Sequence, residues 1–268
     1  MSNSISLTIG TSFGDVPLSA VQFNAVRSNA DERGAGRPVV FLHGGAGPAS
    51  VSGFADLLAD ATGTRVIVPT HPGFGGTPRP DALTTVSGLA EVYAGLLDVL
   101  DLEDATVIGN SIGGWITAEL AVRGSERLGR IALVDAVGIK VAGHPVASGL
   151  TPEQLTQHAW YDPSKAPSVD PASLPAAALE VMAGNRATLA MYGGPMTDAT
   201  LLGRLAGIAV PALVLWGEAD RIGDVEYGRA FAAAIPGARF EVLPRTGHVP
   251  QMESPDLLLE ALRAFVGA

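Results

Sequence analysis

The sequence predicts an α/β protein built on a mainly parallel β-sheet, and three observations carry that expectation. Short, nearly continuous apolar runs recur along the chain, helix-length amphipathic segments separate them, and one long stretch interrupts the alternation without a strand-like run of its own. Continuous apolar runs, as opposed to alternating ones, mark strands covered on both faces, which is what a sheet between two helical layers requires.

The chain opens differently. Residues 4–9 and 18–26 alternate apolar with polar and flank the turn-rich segment TSFGDVP, which predicts an antiparallel hairpin. Buried strands follow at 38–42, 65–68, 105–108, 131–134, 212–216 and 239–243. Amphipathic stretches at 51–61, 84–100, 112–123, 225–235 and 256–265 supply the helices between and after them. Residues 138–205 hold proline, serine and alanine but no strand pattern, and are too long for a plain loop. They predict a helical insertion covering one end of the sheet, so the expected organisation is a core of 1–137 and 206–268 with a cap at 138–205.

At 268 residues the chain suits one domain carrying an insertion. Its 27 acidic against 17 basic residues give a net charge of −10, which repels phosphate backbones and anionic membranes, so nucleic acid and membrane are not expected partners. The absence of cysteine excludes disulfides, thiolate metal sites and a thiol nucleophile. The start of the sequence has neither the basic segment nor the apolar run of a secretion signal, and a cytoplasmic protein is expected. Oligomeric state is not legible.

In a parallel sheet, ligands bind beyond the carboxyl ends of the strands, where loops and helix N-termini converge. Gly109-Asn110-Ser111-Ile112-Gly113 lies there, directly after a predicted strand and before a predicted helix. Two glycines permit the sharp turn that holds a central serine in a strained backbone with its hydroxyl exposed. Serine needs a base, and His248 is the best placed of five histidines, in the loop after the last strand. The histidine needs an acid to fix its tautomer. Gly217-Glu218-Ala219-Asp220 supplies two carboxylates; Asp220, beyond the turn, is preferred over Glu218, with Asp135 at the end of the strand at 131–134 as the fallback. The expected catalytic residues are therefore Ser111, His248 and Asp220.

An oxyanion needs backbone donors, and the loop His43-Gly44-Gly45-Ala46-Gly47 offers the N–H of Gly45 or Ala46, with Ile112 as the second donor. No phosphate-loop or dinucleotide motif competes for the glycine-rich segments, and neither cofactor nor metal is expected. His43 is expected to shape its loop and, with His71, Trp160, Tyr161, Met191 and Tyr192, to belong to the substrate pocket; Met182 is a further apolar candidate. His144 and His158 lie in the insertion.

With these residues in place, the chain resembles the α/β-hydrolase fold superfamily. The Leu42-His43-Gly44-Gly45 loop, Pro72-Gly73-Phe74-Gly75, Gly109-Asn110-Ser111-Ile112-Gly113-Gly114, Trp216-Gly217-Glu218-Ala219-Asp220 and Gly247-His248 stand in that family's order. The resemblance implies an eight-stranded, mostly parallel sheet whose second strand is antiparallel, with a helical lid inserted after strand 6. It also implies acyl chemistry at a serine on a small-molecule ester or acyl substrate. A carboxylesterase is ranked first. A carbon–carbon bond hydrolase of the meta-cleavage product type is ranked second, with Gly45 where a serine is common there and Arg186 available as a substrate-binding arginine. A hydrolase-fold binding protein with little turnover is the third reading.

Overall fold

The computed structural model describes residues 2–24, 37–167 and 171–267. The opening hairpin is β1 (Ser2–Thr11) and β2 (Gly14–Phe23), paired antiparallel along its whole length. The predicted end of the second strand at residues 25 and 26 lies outside the described residues. Next come β3 (Val39–Leu42), α1 (Ala49–Thr62), β4 (Val66–Pro69), α2 (Val86–Val99), β5 (Ala105–Asn110), α3 (Ile112–Arg123) and β6 (Leu128–Val134). After a long interval, β7 (Ala212–Gly217) and β8 (Arg239–Leu243) complete an eight-stranded sheet of order β1-β2-β4-β3-β5-β6-β7-β8. The pairs β1/β2 and β2/β4 are antiparallel and the remaining pairs parallel, so β2 is the one reversed strand.

Burial on both faces explains the continuous apolar runs. Val40 and Leu42 of β3, Val107 of β5 and Val214 and Trp216 of β7 face a core shared with α2 and α3. Their neighbours Val39, Phe41, Ile108 and Leu215 face a second core with Val51, Phe54 and Leu58 of α1. Strand pleating sends successive side chains to opposite layers, so each strand must be apolar throughout.

Between β6 and β7 the chain forms α4 (Pro152–Ala159), α5 (Ala176–Gly193) and α6 (Leu201–Arg204), with short 3-10 turns and no strand among the described residues. Thr151 starts α4 with a capping box: its hydroxyl accepts from Gln154 N–H while the Gln154 side chain accepts from Thr151 N–H. The two ends of this excursion are tied together, since Gly138 N–H donates to Met196 and Asp198 N–H donates back to Gly138. The last helices are α7 (Val225–Ala233), α8 (Pro250–Glu253) and α9 (Pro255–Val266), of which α9 lays Leu258, Leu262 and Phe265 on the second core. No helix among the described residues is long and apolar enough to cross a membrane.

Candidate active site

Ser111 sits between β5 and α3 with φ 57° and ψ −120°, a strained backbone for a residue with a side chain. Close packing imposes the turn. A Cβ on Gly109 would lie 2.2 Å from the carbonyl oxygen of Gly113, and one on Gly113 would lie 2.2 Å from that of Leu42. The end of β6 clasps the serine from the other side: Ser111 N–H donates to Val134 at 3.1 Å and Val137 N–H donates to Ser111 at 3.2 Å.

His248 lies in the loop between β8 and α8 and is 6% exposed. Its Nδ1 donates to Asp220 Oδ2 at 2.8 Å, while Asp220 Oδ1 accepts the N–H of Ile222 at 2.7 Å. Of the three candidate acids, Asp220 holds the imidazole. Glu218 accepts instead from Arg245 N–H at 2.8 Å, and Asp135 accepts from Gly217 N–H at 2.7 Å. Two side chains that sequence reasoning passed over position the histidine further. Asn110 donates to the His248 carbonyl at 3.0 Å and accepts from Gln251 at 3.1 Å. Glu253 accepts from Gly247 N–H at 2.7 Å.

The Ser111 hydroxyl makes no hydrogen bond among the described residues, to His248 included. Contacts of this kind are commonly long before substrate binds and tighten afterwards. Around the serine, the N–H groups of Gly45, Ala46 and Ile112 donate to no partner among the described residues, so they are available to an incoming oxyanion. The combination can deliver a base to a hydroxyl, neutralise the imidazolium and receive negative charge on oxygen.

One oxygen of Asp135, one of Asp220 and one ring nitrogen of His248 lie within 4.8 Å of one another, a spacing that a cation could bridge. Two of these atoms already hydrogen-bond each other, and a metal would have to part them.

Helix α5 of the excursion packs against the loops at residues 72–75 and at Gly45. Asn185, Thr188, Leu189 and Tyr192 share one face of α5 by their i, i+3, i+4, i+7 spacing. Asn185 accepts from Gly75 N–H at 2.8 Å, Thr188 donates to Gly73 at 3.1 Å and Tyr192 donates to Pro72 at 3.0 Å. Leu189 lies against the glycine-rich loop at residues 43–47, its Cδ2 2.6 Å from where a Cβ on Gly45 would stand. Ser111 is 9% exposed.

Several residues expected in a pocket are placed otherwise, and burial is the reason. His43 and His71 are fully buried with ring centroids 3.7 Å apart. His43 Nδ1 donates to the Gly44 carbonyl at 2.7 Å and its Nε2 accepts from His71 N–H at 3.1 Å. His71 Nε2 donates to the His43 carbonyl at 2.8 Å, and its Nδ1 accepts from the Tyr93 hydroxyl. Both rings are therefore neutral with fixed tautomers, locking two loops together. Burial holds His43 well below the usual histidine value, with the neighbouring His71 adding to it, and lowers His71 to about 4. Trp160 is buried beside the His248 loop, whereas Tyr161 and Met182 are exposed and Met191 lines an open groove with Trp115 outside the site. His144 pairs with Asp224 and His158 with the Gln154 carbonyl, both on the exposed side.

Residues 39–261, most of the chain, match the alpha/beta hydrolase family. The chain belongs to that family. It is 30% identical over 256 residues to a 2-hydroxymuconate semialdehyde hydrolase of Pseudomonas putida, covering 90% of each chain. It is 28% identical over 259 residues to a 2-hydroxy-6-oxo-2,4-heptadienoate hydrolase of Pseudomonas putida strain F1, covering 91% of this chain and 94% of that one. The crystal structure of a serine hydrolase involved in carbazole degradation superposes with a TM-score of 0.72 at 19% identity, covering 98% of both chains, which speaks to the fold.

Proposed function

We propose that this hydrolase cleaves a carbon–carbon bond beside a ketone in a dienol-ketone acid, with Ser111 as nucleophile, His248 as base and Asp220 as its orienting acid. The observation that carries this reading is full-length similarity to hydrolases named for 2-hydroxy-6-oxo-dienoate substrates, joined to a serine, imidazole and carboxylate at the carboxyl edge of the sheet. It reverses the ranking expected from sequence, in which ester hydrolysis came first.

In this mechanism His248 takes the hydroxyl proton as Ser111 Oγ attacks the ketone carbon, and the N–H groups of Ile112 and of Gly45 or Ala46 meet the oxyanion. The carbon–carbon bond then breaks. This requires the substrate's keto tautomer, in which the enol proton has moved to the carbon beside the ketone; the electron pair left on that carbon is then delocalised through the adjoining enone as a dienolate, which the imidazolium protonates. Water, deprotonated by His248, releases the acyl group from Ser111 as a carboxylic acid. Residues 138–205 act as a cap that α5 closes over the reaction. Arg186, one position past Asn185, is the one basic residue of α5.

Ester hydrolysis is the second reading, and one observation favours it. The Arg79 guanidinium is turned to the carbonyls of Pro80, Asp81 and Leu83, and Arg186 is exposed, so neither faces the serine to receive a carboxylate.

Turnover of 2-hydroxy-6-oxohepta-2,4-dienoate, followed by loss of its dienolate absorbance, is compared with that of p-nitrophenyl acetate for wild type and Ser111→Ala. The expected result is a higher kcat/KM on the dienoate, lost in the variant. Turnover of the ester alone establishes the second reading, equal rates in both proteins remove the serine mechanism, and no turnover of either points to a binding protein.

A further inference from the structure

Asp135 is a buried carboxyl that the mechanism above leaves without a task. It follows β6 directly, is fully buried, and holds a left-handed backbone with φ 46°. Its N–H donates to Leu215 at 3.0 Å and its Oδ1 accepts the N–H of Gly217 at 2.7 Å, so both main-chain contacts go to β7. Its Oδ2 is buried and meets no donor among the described residues. An oxygen of Asp220 and a ring nitrogen of His248 lie within 4.8 Å of one of its oxygens.

A buried carboxylate oxygen without a donor is costly, and two buried carboxylates at this separation repel. A proton on Asp135 Oδ2 removes both costs: it ends the repulsion and turns the orphan acceptor into an O–H donor. Burial, with the Asp220 charge next, pushes the Asp135 carboxyl well above the usual carboxylate range, and a side-chain hydrogen bond with Asp220 acts in the same sense. Apolar sites elsewhere keep a carboxylic acid neutral so that it can donate.

We propose that Asp135 is a positioning residue: as the neutral acid it donates a hydrogen bond to Asp220 and so fixes the carboxylate that orients His248. Asp220 is then held by the Ile222 N–H, by Asp135 and by the imidazole, with its charge directed to Nδ1. The inference rests on the reading of Ser111, His248 and Asp220 as the catalytic set.

The test compares wild type, Asp135→Asn, Asp135→Ala and Ser111→Ala on the substrate that the enzyme turns over, with melting temperatures recorded for each. Asn can donate to Asp220 and accept from Gly217 without a charge. Asp135→Asn is expected to keep kcat within about threefold, and Asp135→Ala to lose roughly tenfold or more in kcat at little change in KM, as removal of a supporting group does. Infrared spectra of carboxyl-labelled aspartate in the wild type are expected to contain a protonated-acid band at neutral pH that disappears in Asp135→Asn. Three results would overturn the proposal: a wild-type kcat in Asp135→Ala, an Asn variant as impaired as the Ala variant, or no protonated band. Full activity in Ser111→Ala sinks the serine mechanism instead, and the infrared band, which needs no turnover, still decides the state of Asp135.

Discussion

The side-chain amide of Asn110 donates to the main-chain carbonyl of His248 at 3.0 Å, so the residue next to Ser111 holds the backbone of His248. The same amide reaches the Val134 carbonyl at 3.2 Å, and its oxygen accepts from Gln251 at 3.1 Å. Asn110→Ala leaves the buried His248 carbonyl and the Gln251 amide without these partners, while the Val134 carbonyl keeps the Ser111 N–H, and is expected to cost about 2 kcal/mol of stability and roughly tenfold in kcat. Asn110→Asp is expected to be worse, because a carboxylate cannot donate to either carbonyl. Urea unfolding and steady-state kinetics on both variants check this; an Asp variant equal to wild type would show that the amide donors do not position the histidine.

Glu253 gathers three backbone donors on one carboxylate: Tyr161 N–H at 3.1 Å, Asp162 N–H at 2.8 Å and Gly247 N–H at 2.7 Å. Two come from the chain just past α4 and one from the His248 loop, while His248 N–H donates to Ala159 at 2.7 Å beside them. Hydrogen bonds to a charged acceptor are the stronger kind. Glu253→Ala is expected to destabilise the protein by about 3 kcal/mol and to speed amide exchange at Gly247 and Tyr161 in particular. Exchange that rises evenly along the chain would mean that Glu253 does not staple these two segments.

The parallel strands are legible in the sequence because burial on both faces writes an uninterrupted apolar run, and the 109–113 turn is legible because its glycines answer a local steric demand. Asn110, Glu253 and Leu189 carry no comparable signal. Each acts on a partner more than 90 residues away in sequence, and nothing in a residue's own neighbourhood shows which distant backbone it will meet. From sequence, His43 is expected to shape its loop as well as to line a pocket, and His71 to line a pocket. Their chemistry and their place after strands suit an active site, but their full burial against Tyr93 and each other makes them struts between loops. Tyr161 and Met182 have the composition of a pocket wall and lie at the surface.

Leu189 is the side chain of α5 that stands over Gly45, and removing its end opens space directly above the loop at residues 43–47. Under the proposed mechanism Leu189→Ala is expected to raise kcat/KM for p-nitrophenyl butyrate relative to the acetate by roughly tenfold, the scale of a methylene-sized change in an apolar pocket. Leu189→Trp is expected to depress both. An unchanged ratio in the Ala variant would place the acyl group elsewhere.

The paired histidines predict a specific acid sensitivity. His71 has a folded value of about 4 against an ordinary 6.5, because burial disfavours its charged form. Between those two values the unfolded chain binds a proton that the folded chain refuses, so stability rises with pH through this window and is lost as the pH falls from 6.5 towards 4. The loss from His71 is on the order of 3 kcal/mol, and His43, lowered for the same reason, adds to it in the same direction. Urea unfolding across that range is expected to give a steep pH dependence in the wild type and a flatter one in His71→Gln, whose amide does not titrate. The substituted protein starts from a lower stability, since the Tyr93 hydroxyl and the His43 carbonyl lose a well-placed partner, but the slope and not the level is the readout. If the two slopes coincide, protonation of the buried pair is not what destabilises the fold in acid, and the neutral tautomers assigned from its hydrogen bonds are wrong.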